Sequence, residues 1–398
     1  MDLRSAAMQP DAAVARRILP AIVLSQLAGT SLWFAVNAVM PDLQRDWHLP
    51  AAAVGTLTSA AQLGFIGGTL VFALLTVADR FSPRQVFLLC ALAGAGCNAA
   101  GALLDGQYEA LLALRLATGF FLAGIYPVGM KIAAGWYTRG LGAALGLLVG
   151  ALVLGTAMPH GLRALGAQWP WQAVMWTVSA VAAAGGALMY VLVPDSPSMP
   201  RAAHIRPQAL AVIWTDRKVR ASALGYFGHQ WELYTLWVLV PLIVATRLPA
   251  TQVAAASFAV IGAGFFGCAV GGLLVRRFGS AKVAAVQLAT SGLCCVLSPL
   301  LLDAPLWLFA AWLLVWGITV VGDSPQFSTL TAQNSPRDSV GSVLTFTNCI
   351  GFAITIVSIE LFTRAAQHWP LAIVLPWLAI GPALGLRALA PLLGRARG

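Results

Sequence analysis

ASALGYFGHQWELYTLWVLVPLIVA, residues 221–245, is an apolar segment that is long enough to cross a lipid bilayer as a helix. It contains a carboxylate, Glu232, near its middle, and His229 stands three residues earlier. Residues three apart lie on one face of a helix, so the spacing predicts that both side chains point the same way. An acidic group at bilayer depth costs at least about 2.5 kcal/mol and usually faces a cavity or a partner. We therefore predict a function for Glu232, with a protonated, hydrogen-bonded packing role as the alternative.

The composition is that of a chain that lies mostly in lipid. Of the 398 residues, 59% are hydrophobic and only 10% are charged, and the mean hydropathy is +0.81. A soluble protein carries about 25% charged residues. The first apolar run begins near residue 18 and has no cleavage site, so we expect no signal peptide. The sequence therefore predicts a polytopic membrane protein.

Apolar runs of spanning length recur along the whole chain, and we number them spans 1 to 12. They lie near residues 17–39, 51–77, 84–104, 108–133, 140–163, 170–193, 219–246, 251–275, 282–302, 305–331, 341–363 and 370–393. Each has about the length that a tilted helix needs. Their continuous apolarity excludes a transmembrane barrel, whose strands alternate. The predicted fold class is an all-α polytopic membrane protein with about twelve transmembrane helices.

The formal net charge of +10 is distributed unevenly between the two sides of the predicted membrane. If the amino terminus is cytoplasmic, the inner loops and tails hold Arg4, Arg16, Arg17, Arg80, Arg84, Arg139, Arg201, Arg206, Arg217, Lys218, Arg220, Arg276, Arg277, Lys282, Arg337, Arg387, Arg395 and Arg397. The outer loops hold Arg45, Arg163, Arg247 and Arg364. This asymmetry follows the positive-inside rule, so we predict an inner-membrane protein with both termini in the cytoplasm. It also argues against nucleic acid as the partner of the basic residues.

The cysteines and the known short motifs indicate no cofactor. All six cysteines lie inside apolar runs, with no CxxC pair. They are Cys90, Cys97, Cys268, Cys294, Cys295 and Cys349. The sequence has no GxxxxGK[ST] phosphate-binding loop, no GxSxG and no HExxH. We therefore expect no cofactor, no metal and no disulfide, and we expect that the protein is not an enzyme.

An internal repeat divides the chain. Gly124-Ile-Tyr-Pro127, followed by Arg139, aligns at one constant offset with Gly322-Asp-Ser-Pro325, followed by Arg337. The predicted organisation is an amino-terminal six-helix half at 1–193, a cytoplasmic linker at 194–218 and a carboxy-terminal six-helix half at 219–398. Two pseudo-symmetric halves around a midplane site are typical of transporters.

Several loop and helix motifs resemble those of the major facilitator superfamily. Asp79-Arg80-x-x-x-Arg84 resembles the family's signature between helices 2 and 3, and Gly272-x-x-x-Arg276-Arg277-x-Gly279 resembles its second-half copy. Arg115-x-x-x-Gly119 and the Trp136–Gly140 segment resemble the motifs of helix 4 and of the loop after it. The chain departs from the pattern at Leu75, Ser82 and Arg276. The resemblance covers essentially the whole chain.

This resemblance implies that spans 1, 4, 7 and 10 line a central cavity. The candidate substrate-cavity residues on these spans are Gln26, Trp33, Asn37, Arg115, Tyr126 and Gln326. The span 1 residues form one helical stripe, for which polar packing between helices is the alternative. Snorkelling to the surface is the alternative for Arg115, which lies about two turns inside the outer end of span 4. Pro325 is expected to break span 10 where its backbone lines the cavity.

The charged residues are candidates for two further roles. Glu232, with Asp323 second and His229 as a modulator, is predicted to exchange a proton with each side, because apolar burial favours the neutral carboxyl. Asp79, Arg80 and Arg84 are predicted gating residues, although the positive-inside rule alone accounts for both arginines.

The predicted function is proton-coupled secondary active transport by alternating access. The sequence has no ATP-binding motif, which favours an ion gradient or facilitated diffusion as the driving force. Arg115 beside two acids suits an anionic or zwitterionic small solute. The alternatives are a facilitative uniporter, a transporter-derived sensor and a membrane-embedded enzyme. We expect a monomer in the lipid bilayer, whereas the solute and the direction of transport do not follow from the sequence.

Overall fold

The computed structural model describes residues 12–137, 141–196 and 206–394. Both chain ends lie outside these ranges, as does the middle of the predicted linker. Of the residues named above, those outside are Arg4, Arg139, Gly140, Arg201, Arg395 and Arg397. The side chain of Arg16 also lies outside the description.

The first six spans run from residue 12 to residue 192. Span 1 consists of Ala12–Thr30, a 3₁₀ turn at Ser31–Phe34, and the short helices Ala35–Ala38 and Met40–Asp46. Spans 2 and 3 are Ala53–Leu74 and Pro83–Gly101, with the single turn Val77–Arg80 between them. Span 4 is Tyr108–Leu122 plus Tyr126–Trp136, span 5 is Leu141–Leu165, and span 6 is Trp171–Leu192.

The second six spans follow a short helix, Gln208–Thr215, which lies within the predicted linker. Span 7 is Arg217–Ala245, span 8 is Ala250–Gly262 plus Gly264–Phe278, and span 9 is Ser280–Leu301. Span 10 is Leu306–Gly322 plus Ser324–Asn334, and span 11 is Val340–His368. Span 12 consists of Leu371–Val374, the 3₁₀ turn Leu375–Ala379, and Ile380–Leu393. The linker boundaries 194–218 stay a prediction.

Ten of the helical segments in the described chain are long and apolar enough to cross a membrane. Pro83–Gly101 and Arg217–Ala245 occupy the places of predicted spans 3 and 7. Span 7 is the helix that contains His229, Gln230 and Glu232, which lower its hydropathy, and it is buried along most of its length. An all-α polytopic fold is therefore confirmed, with span 7 covered by neighbouring helices along most of its length.

The repeat extends from the sequence to helix packing. A Cβ atom on Gly119 of span 4 would collide with the backbone of Ala61 in span 2. A Cβ atom on Gly317 of span 10 would collide with the backbone of Val260 in span 8. Small residues let membrane helices approach closely. Spans 2 and 4 in the first half, and spans 8 and 10 in the second, thus contact each other in the same way.

Spans 4 and 10 are broken at matching places. Span 4 stops at Leu122 and restarts at Tyr126, with Pro127 in the first turn of the new helix. Span 10 stops at Gly322 and restarts at Ser324, with Pro325 in the first turn. Proline fits a first helical turn because its missing N–H has no partner there in any case. The break that Pro325 predicts is therefore present.

Candidate solute cavity and buried acid pair

A cavity of about 800 Å³ lies between the two halves. Its lining comes from spans 2, 4, 5, 8, 10 and 11, and it is mainly apolar, with Phe72, Met130, Val149 and Leu344 among the larger side chains. Hydroxyl and amide groups on spans 2, 10 and 11 add a few polar sites. The cavity reaches the ends of the helices that carry the loop between spans 2 and 3 and the loop between spans 10 and 11, which we call the linker side. Its size suits a small solute.

An aromatic cluster separates this cavity from the opposite side of the protein. The indole of Trp33 stacks on the rings of Tyr234 and Phe352, at centroid distances of 5.7 and 5.6 Å, and lies 4.9 Å from that of Phe65. Phe65 stands one turn beyond the cavity-lining Thr69 on span 2. The cluster joins spans 1, 2, 7 and 11, so it ties the two halves together above the cavity. Within the described residues, the cavity is therefore open on the linker side and closed on the other.

Of the six predicted cavity residues, Gln326 lines the cavity within the described chain. Trp33 belongs to the aromatic cluster and donates from Nε1 to Oε1 of Gln62 at 3.1 Å. Asn37 donates to the hydroxyl of Thr58 at 2.8 Å. Both bonds join span 1 to span 2, which is the polar packing that was the alternative for this stripe. Substrate contact by these side chains stays a prediction.

Gln26 and Tyr126 also lie away from the cavity lining. Gln26 is fully buried, and neither atom of its amide has a hydrogen-bond partner among the described residues. Its carboxamide lies beside Gly129 of span 4, where a Cβ atom would collide with Oε1. Tyr126 is half-buried at the break in span 4, next to the cavity-lining Pro127.

Arg115 is bonded inside the first half. The residue is 2% exposed, and its guanidinium donates to the carbonyl oxygens of Leu32 and Trp33 at 3.0 and 2.6 Å. These carbonyls belong to the 3₁₀ turn, where the regular helical bonds of span 1 are interrupted. Arg115 does not snorkel, because it satisfies backbone acceptors that would otherwise be buried without partners.

Local hydrogen bonds account for the turn that Arg115 supports. The hydroxyl of Thr30 donates to the carbonyl of Gln26 at 2.8 Å, and that of Ser31 donates to the carbonyl of Ala28 at 2.6 Å. Serine and threonine hydroxyls that bond back to the preceding turn loosen and bend helices. The Thr30-Ser31 pair thus marks the point at which span 1 changes its geometry.

His229 and Asp323 form a buried pair between spans 7 and 10. Nδ1 of His229 lies 2.7 Å from Oδ1 of Asp323, and both side chains are fully buried. The imidazole lies near the rings of Tyr226 and Phe327, and no other described side chain hydrogen-bonds to either member of the pair. Asp323 stands at the break in span 10, and Pro325 and Gln326, two and three residues on, line the cavity. The pair is therefore adjacent to the cavity.

Glu232 has a different environment from the one that its spacing to His229 suggested. Its Oε1 accepts from Nε1 of Trp316 at 2.5 Å and from Sγ of Cys295 at 3.2 Å. Its Oε2 accepts from the hydroxyl of Ser291 at 2.9 Å. These donors lie on spans 9 and 10, so Glu232 is enclosed within the second half. His229 is paired with Asp323 instead of Glu232, because the two side chains face different neighbours.

The predicted gating residues lie on the linker side of the first half. Asp79 accepts from Nζ of Lys131 at 2.5 Å, at the rim of the cavity. Arg84 lies 3.4 Å from the carboxylate of Asp195, which also accepts from the hydroxyl of Ser82. Arg80 is exposed. These bonds join the loop between spans 2 and 3 to span 4 and to the segment after span 6.

Thr76, in the same loop, has a backbone conformation that β-branched residues rarely adopt. Its φ is 49°, in the left-handed region, although its side chain is buried and lines the cavity. The corresponding loop of the second half reaches positive φ at a glycine, Gly279, with φ of 79°. A threonine at such a φ stores backbone strain.

Several residues around these sites were missed from the sequence as functional partners. Lys131 was not among the predicted site residues, although its position one turn after Pro127 on a span predicted to line the cavity was a usable signal. The donors to Glu232 gave no signal, because Ser, Cys and Trp are common in any apolar helix. Asp195 follows span 6 directly and is the first acid after it, which marks it as a partner for a loop arginine.

Comparison with known families and proteins gives one family match over nearly the whole chain and relatives that match parts of it. The family model described as Major Facilitator Superfamily matches residues 22–394. A chloramphenicol resistance protein of Streptomyces lividans is 29% identical over 250 residues, which cover 61% of this chain and 63% of that protein. The putative uncharacterized transporter YgaY of Escherichia coli K12 is 26% identical, over 52% of this chain and 53% of its own length. The 4-hydroxybenzoate transporter PcaK of Pseudomonas aeruginosa is 28% identical, over 34% of this chain and 33% of its own length. In each case less than two thirds of the relative's length is matched.

Solved structures share the fold at low sequence identity. The human organic anion transporter MFSD10 superposes with a TM-score of 0.72 at 15% identity, covering 94% of this chain and 99% of that one. A mutant of the nucleoside transporter NupG superposes with a TM-score of 0.72 at 12% identity, covering 95% of this chain and 100% of that one. These structures show the architecture and carry no information on the solute.

Proposed function

The chain belongs to the Major Facilitator Superfamily, and we propose that it is a proton-coupled secondary transporter in which the His229–Asp323 pair carries the coupling proton. Membrane transport of a small solute follows from the family; the coupling, the coupling residue and the solute class are the proposal. The observation that carries it is the buried pair at the break in span 10, beside the cavity.

The pair is suited to proton exchange because, among the described residues, no other charged side chain forms an ion pair with either member. A buried ion pair is costly to leave half-neutralised, so gain or loss of one proton changes the stability of the arrangement. Gln326, one turn from Asp323, lines the linker-side cavity, so that cavity is the proposed proton route on this side. Opening of the other side would expose the pair to protons there. Alternating access around a midplane site then couples proton movement to solute movement.

Asp323 is a better candidate for the coupling acid than Glu232, which was the residue preferred from the sequence. The carboxylate of Glu232 accepts hydrogen bonds from three side chains of spans 9 and 10, so its hydrogen-bonding needs are met without a charged partner. No residue next to Glu232 in sequence lines the cavity, whereas Pro325 and Gln326 follow Asp323 closely and line it. We propose that Glu232 holds spans 7, 9 and 10 together.

The cavity favours a mainly apolar solute with one or a few hydrogen-bonding groups. Its walls are apolar side chains, and Lys131, the cation at its rim, is bonded to Asp79. The prediction of an anionic or zwitterionic solute depended on Arg115, whose guanidinium is bonded to span 1. Chloramphenicol, the compound in the name of one relative, is an uncharged aromatic molecule with several polar groups, so it matches the proposed solute in its lack of charge.

The remaining sequence predictions fit this proposal. We propose that the protein acts as a monomer in the cell (inner) membrane, with its termini and the linker side in the cytoplasm. The Asp79–Lys131 pair at the cavity rim is the proposed linker-side gate element, with Arg80 and Arg84 beside it. The protein has no enzymatic role in this proposal and acts on a transported solute and protons.

Proteoliposomes test the proposal directly. Radiolabelled chloramphenicol and 4-hydroxybenzoate are each offered at a fixed external concentration, with and without an imposed pH gradient. We expect chloramphenicol to accumulate only with the gradient, and 4-hydroxybenzoate to accumulate little. Equal chloramphenicol equilibration with and without the gradient would indicate a facilitative uniporter, and accumulation of 4-hydroxybenzoate alone would show that the solute is anionic. Transport of neither compound would contradict the proposed solute class.

A further inference from the structure

A second cavity, of about 770 Å³, lies on the outside of the second half, away from the space between the halves. It is bounded by spans 7, 11 and 12, and we call it the 7–11–12 groove. Its lining residues are Arg217, Arg220, Ala221, Leu224, Phe227, Gly228, Trp231, Ile354, Val357, Ile380, Gly381, Leu384, Arg387, Ala388 and Pro391. The groove is thus apolar along its shaft and basic at one end.

Glycines at the floor of the groove bring spans 7 and 12 into backbone contact. A Cβ atom on Gly228 would collide with the carbonyl of Gly381, and one on Gly381 would collide with the carbonyl of Gly228. The larger side chains Trp231, Leu384 and Ile354 therefore stand on the walls of the groove. The depression follows from the packing of the helices and does not depend on a loop.

Three arginines lie at the linker-side end of the groove. Arg217 and Arg220 are in the first turn of span 7, and Arg387 is two turns from the end of span 12. All three are exposed, and none of them forms an ion pair with a described carboxylate. Arg220 donates to the carbonyl of Trp214 at 3.0 Å. Asp216, the nearest acid along the chain, accepts from the backbone N–H groups of Lys218 and Val219.

The length of the groove matches one leaflet of a membrane. From Arg217 to Trp231 is 14 residues of helix, or about 20 Å at 1.5 Å per residue. Half of a bilayer with its headgroups is also about 20 Å thick. The short helix Gln208–Thr215 lies beside the basic end and exposes Leu210 and Trp214, as expected of a segment at the membrane interface.

We propose that the 7–11–12 groove binds an anionic phospholipid from the linker-side leaflet, with its phosphate on Arg217, Arg220 and Arg387 and an acyl chain between Trp231 and Leu384. Basic pockets between membrane helices bind anionic headgroups in this way. A soluble phosphate would use the arginines but leave the apolar shaft unoccupied. The inference is independent of the solute and of the proton coupling.

Native mass spectrometry of the purified full chain tests the proposal. Phosphatidylglycerol and phosphatidylcholine of equal chain length are added separately, and glycerol 3-phosphate serves as the soluble probe. We expect selective retention of phosphatidylglycerol by the wild type. The triple variant Arg217→Gln, Arg220→Gln and Arg387→Gln should bind it about 100-fold more weakly, at roughly fivefold per arginine.

The matched control removes three cations from the same side of the protein but outside the groove: Arg276→Gln, Arg277→Gln and Lys282→Gln. It should keep the wild-type affinity. Leu384→Trp, which fills the shaft without changing charge, should weaken phosphatidylglycerol binding and leave the variant folded. Equal binding of the two lipids by the wild type would overturn the proposal. The proposal would also be overturned if the control triple weakened phosphatidylglycerol binding as much as the groove triple does, or if glycerol 3-phosphate bound as tightly as the lipid.

Discussion

The breaks in spans 4 and 10 have the same backbone design but different chemistry. In both, a glycine lies at the break, Gly124 after the helix end at Leu122 and Gly322 as the last helical residue, and a proline lies in the first turn of the next helix. The residue after the glycine is Ile125 in the first half and Asp323 in the second, and both are fully buried. Ile125 packs toward Gly29 of span 1, where a Cβ atom would collide with it, whereas Asp323 meets His229 of span 7. The two halves thus share a fold, and the titratable groups at the break belong to the second half.

The largest effect is expected from removing the acid at the second break. Asp323→Asn keeps the size of the side chain but cannot release a proton, so gradient-driven accumulation in proteoliposomes should fall to the level of protein-free vesicles. Ile125→Val, at the matching position of the first half, should keep most of the wild-type accumulation. If a folded Asp323→Asn protein accumulated solute at the wild-type level, the break in span 10 would not differ from that in span 4 by carrying the coupling proton.

Glu232 offers a second contrast with Asp323, in stability. Glu232→Ala leaves three buried donors without an acceptor, at about 1 kcal/mol each, so the free energy of unfolding should fall by about 3 kcal/mol. Asp323→Asn keeps a hydrogen-bonding group beside His229 and should cost less. The comparison is made by detergent-induced unfolding of the two purified variants. A smaller loss for Glu232→Ala than for Asp323→Asn would show that Glu232 does not hold spans 7, 9 and 10 together.

In the first half, the buried guanidinium of Arg115 is predicted to stabilise the fold and not to bind the solute. Arg115→Met removes two hydrogen bonds to the 3₁₀ turn of span 1 and should lower the free energy of unfolding by about 2 kcal/mol. Arg115→Lys can keep only part of this bonding, so its free energy of unfolding should lie between those of the wild type and Arg115→Met. Affinity for chloramphenicol should change little in either variant. A specific loss of affinity without loss of stability would return Arg115 to the substrate site.

The smallest change in the free energy of unfolding is expected for variants in the loops after spans 2 and 8. Thr76→Gly should relieve backbone strain and raise the free energy of unfolding by about 1 kcal/mol, and Gly279→Thr should lower it by a similar amount. Thermal unfolding of the two variants gives the comparison. Destabilisation by Thr76→Gly would mean that the side-chain contacts of Thr76 outweigh the strain.

Much of the fold follows from the sequence because bilayer length and helix-breaking proline are strong local signals. The apolar runs, the repeat and the break at Pro325 all correspond to features of the structure. The shielding of span 7 was also indicated, since its acid and histidine are costly in lipid.

The partners inside the bundle could not be predicted in the same way. Residues three apart on a helix point about 60° apart, since each residue turns the helix by about 100°. On a helix that is buried on most sides, this angle is enough to direct His229 to span 10 and Glu232 toward span 9. Spacing alone therefore grouped two side chains that have different neighbours. The hydrogen-bond acceptors of Arg115 could not be predicted for a related reason: they are available only because span 1 changes to a 3₁₀ turn.

The central claim is that Asp323, and not Glu232, is the acid that exchanges the coupling proton. Infrared difference spectroscopy of the purified protein, acidified within the range where it stays folded, measures the appearance of a neutral carboxyl band without needing to know the solute. The account predicts a buried carboxyl band that is lost in Asp323→Asn and kept in Glu232→Gln. A band that is lost in Glu232→Gln and kept in Asp323→Asn would contradict it.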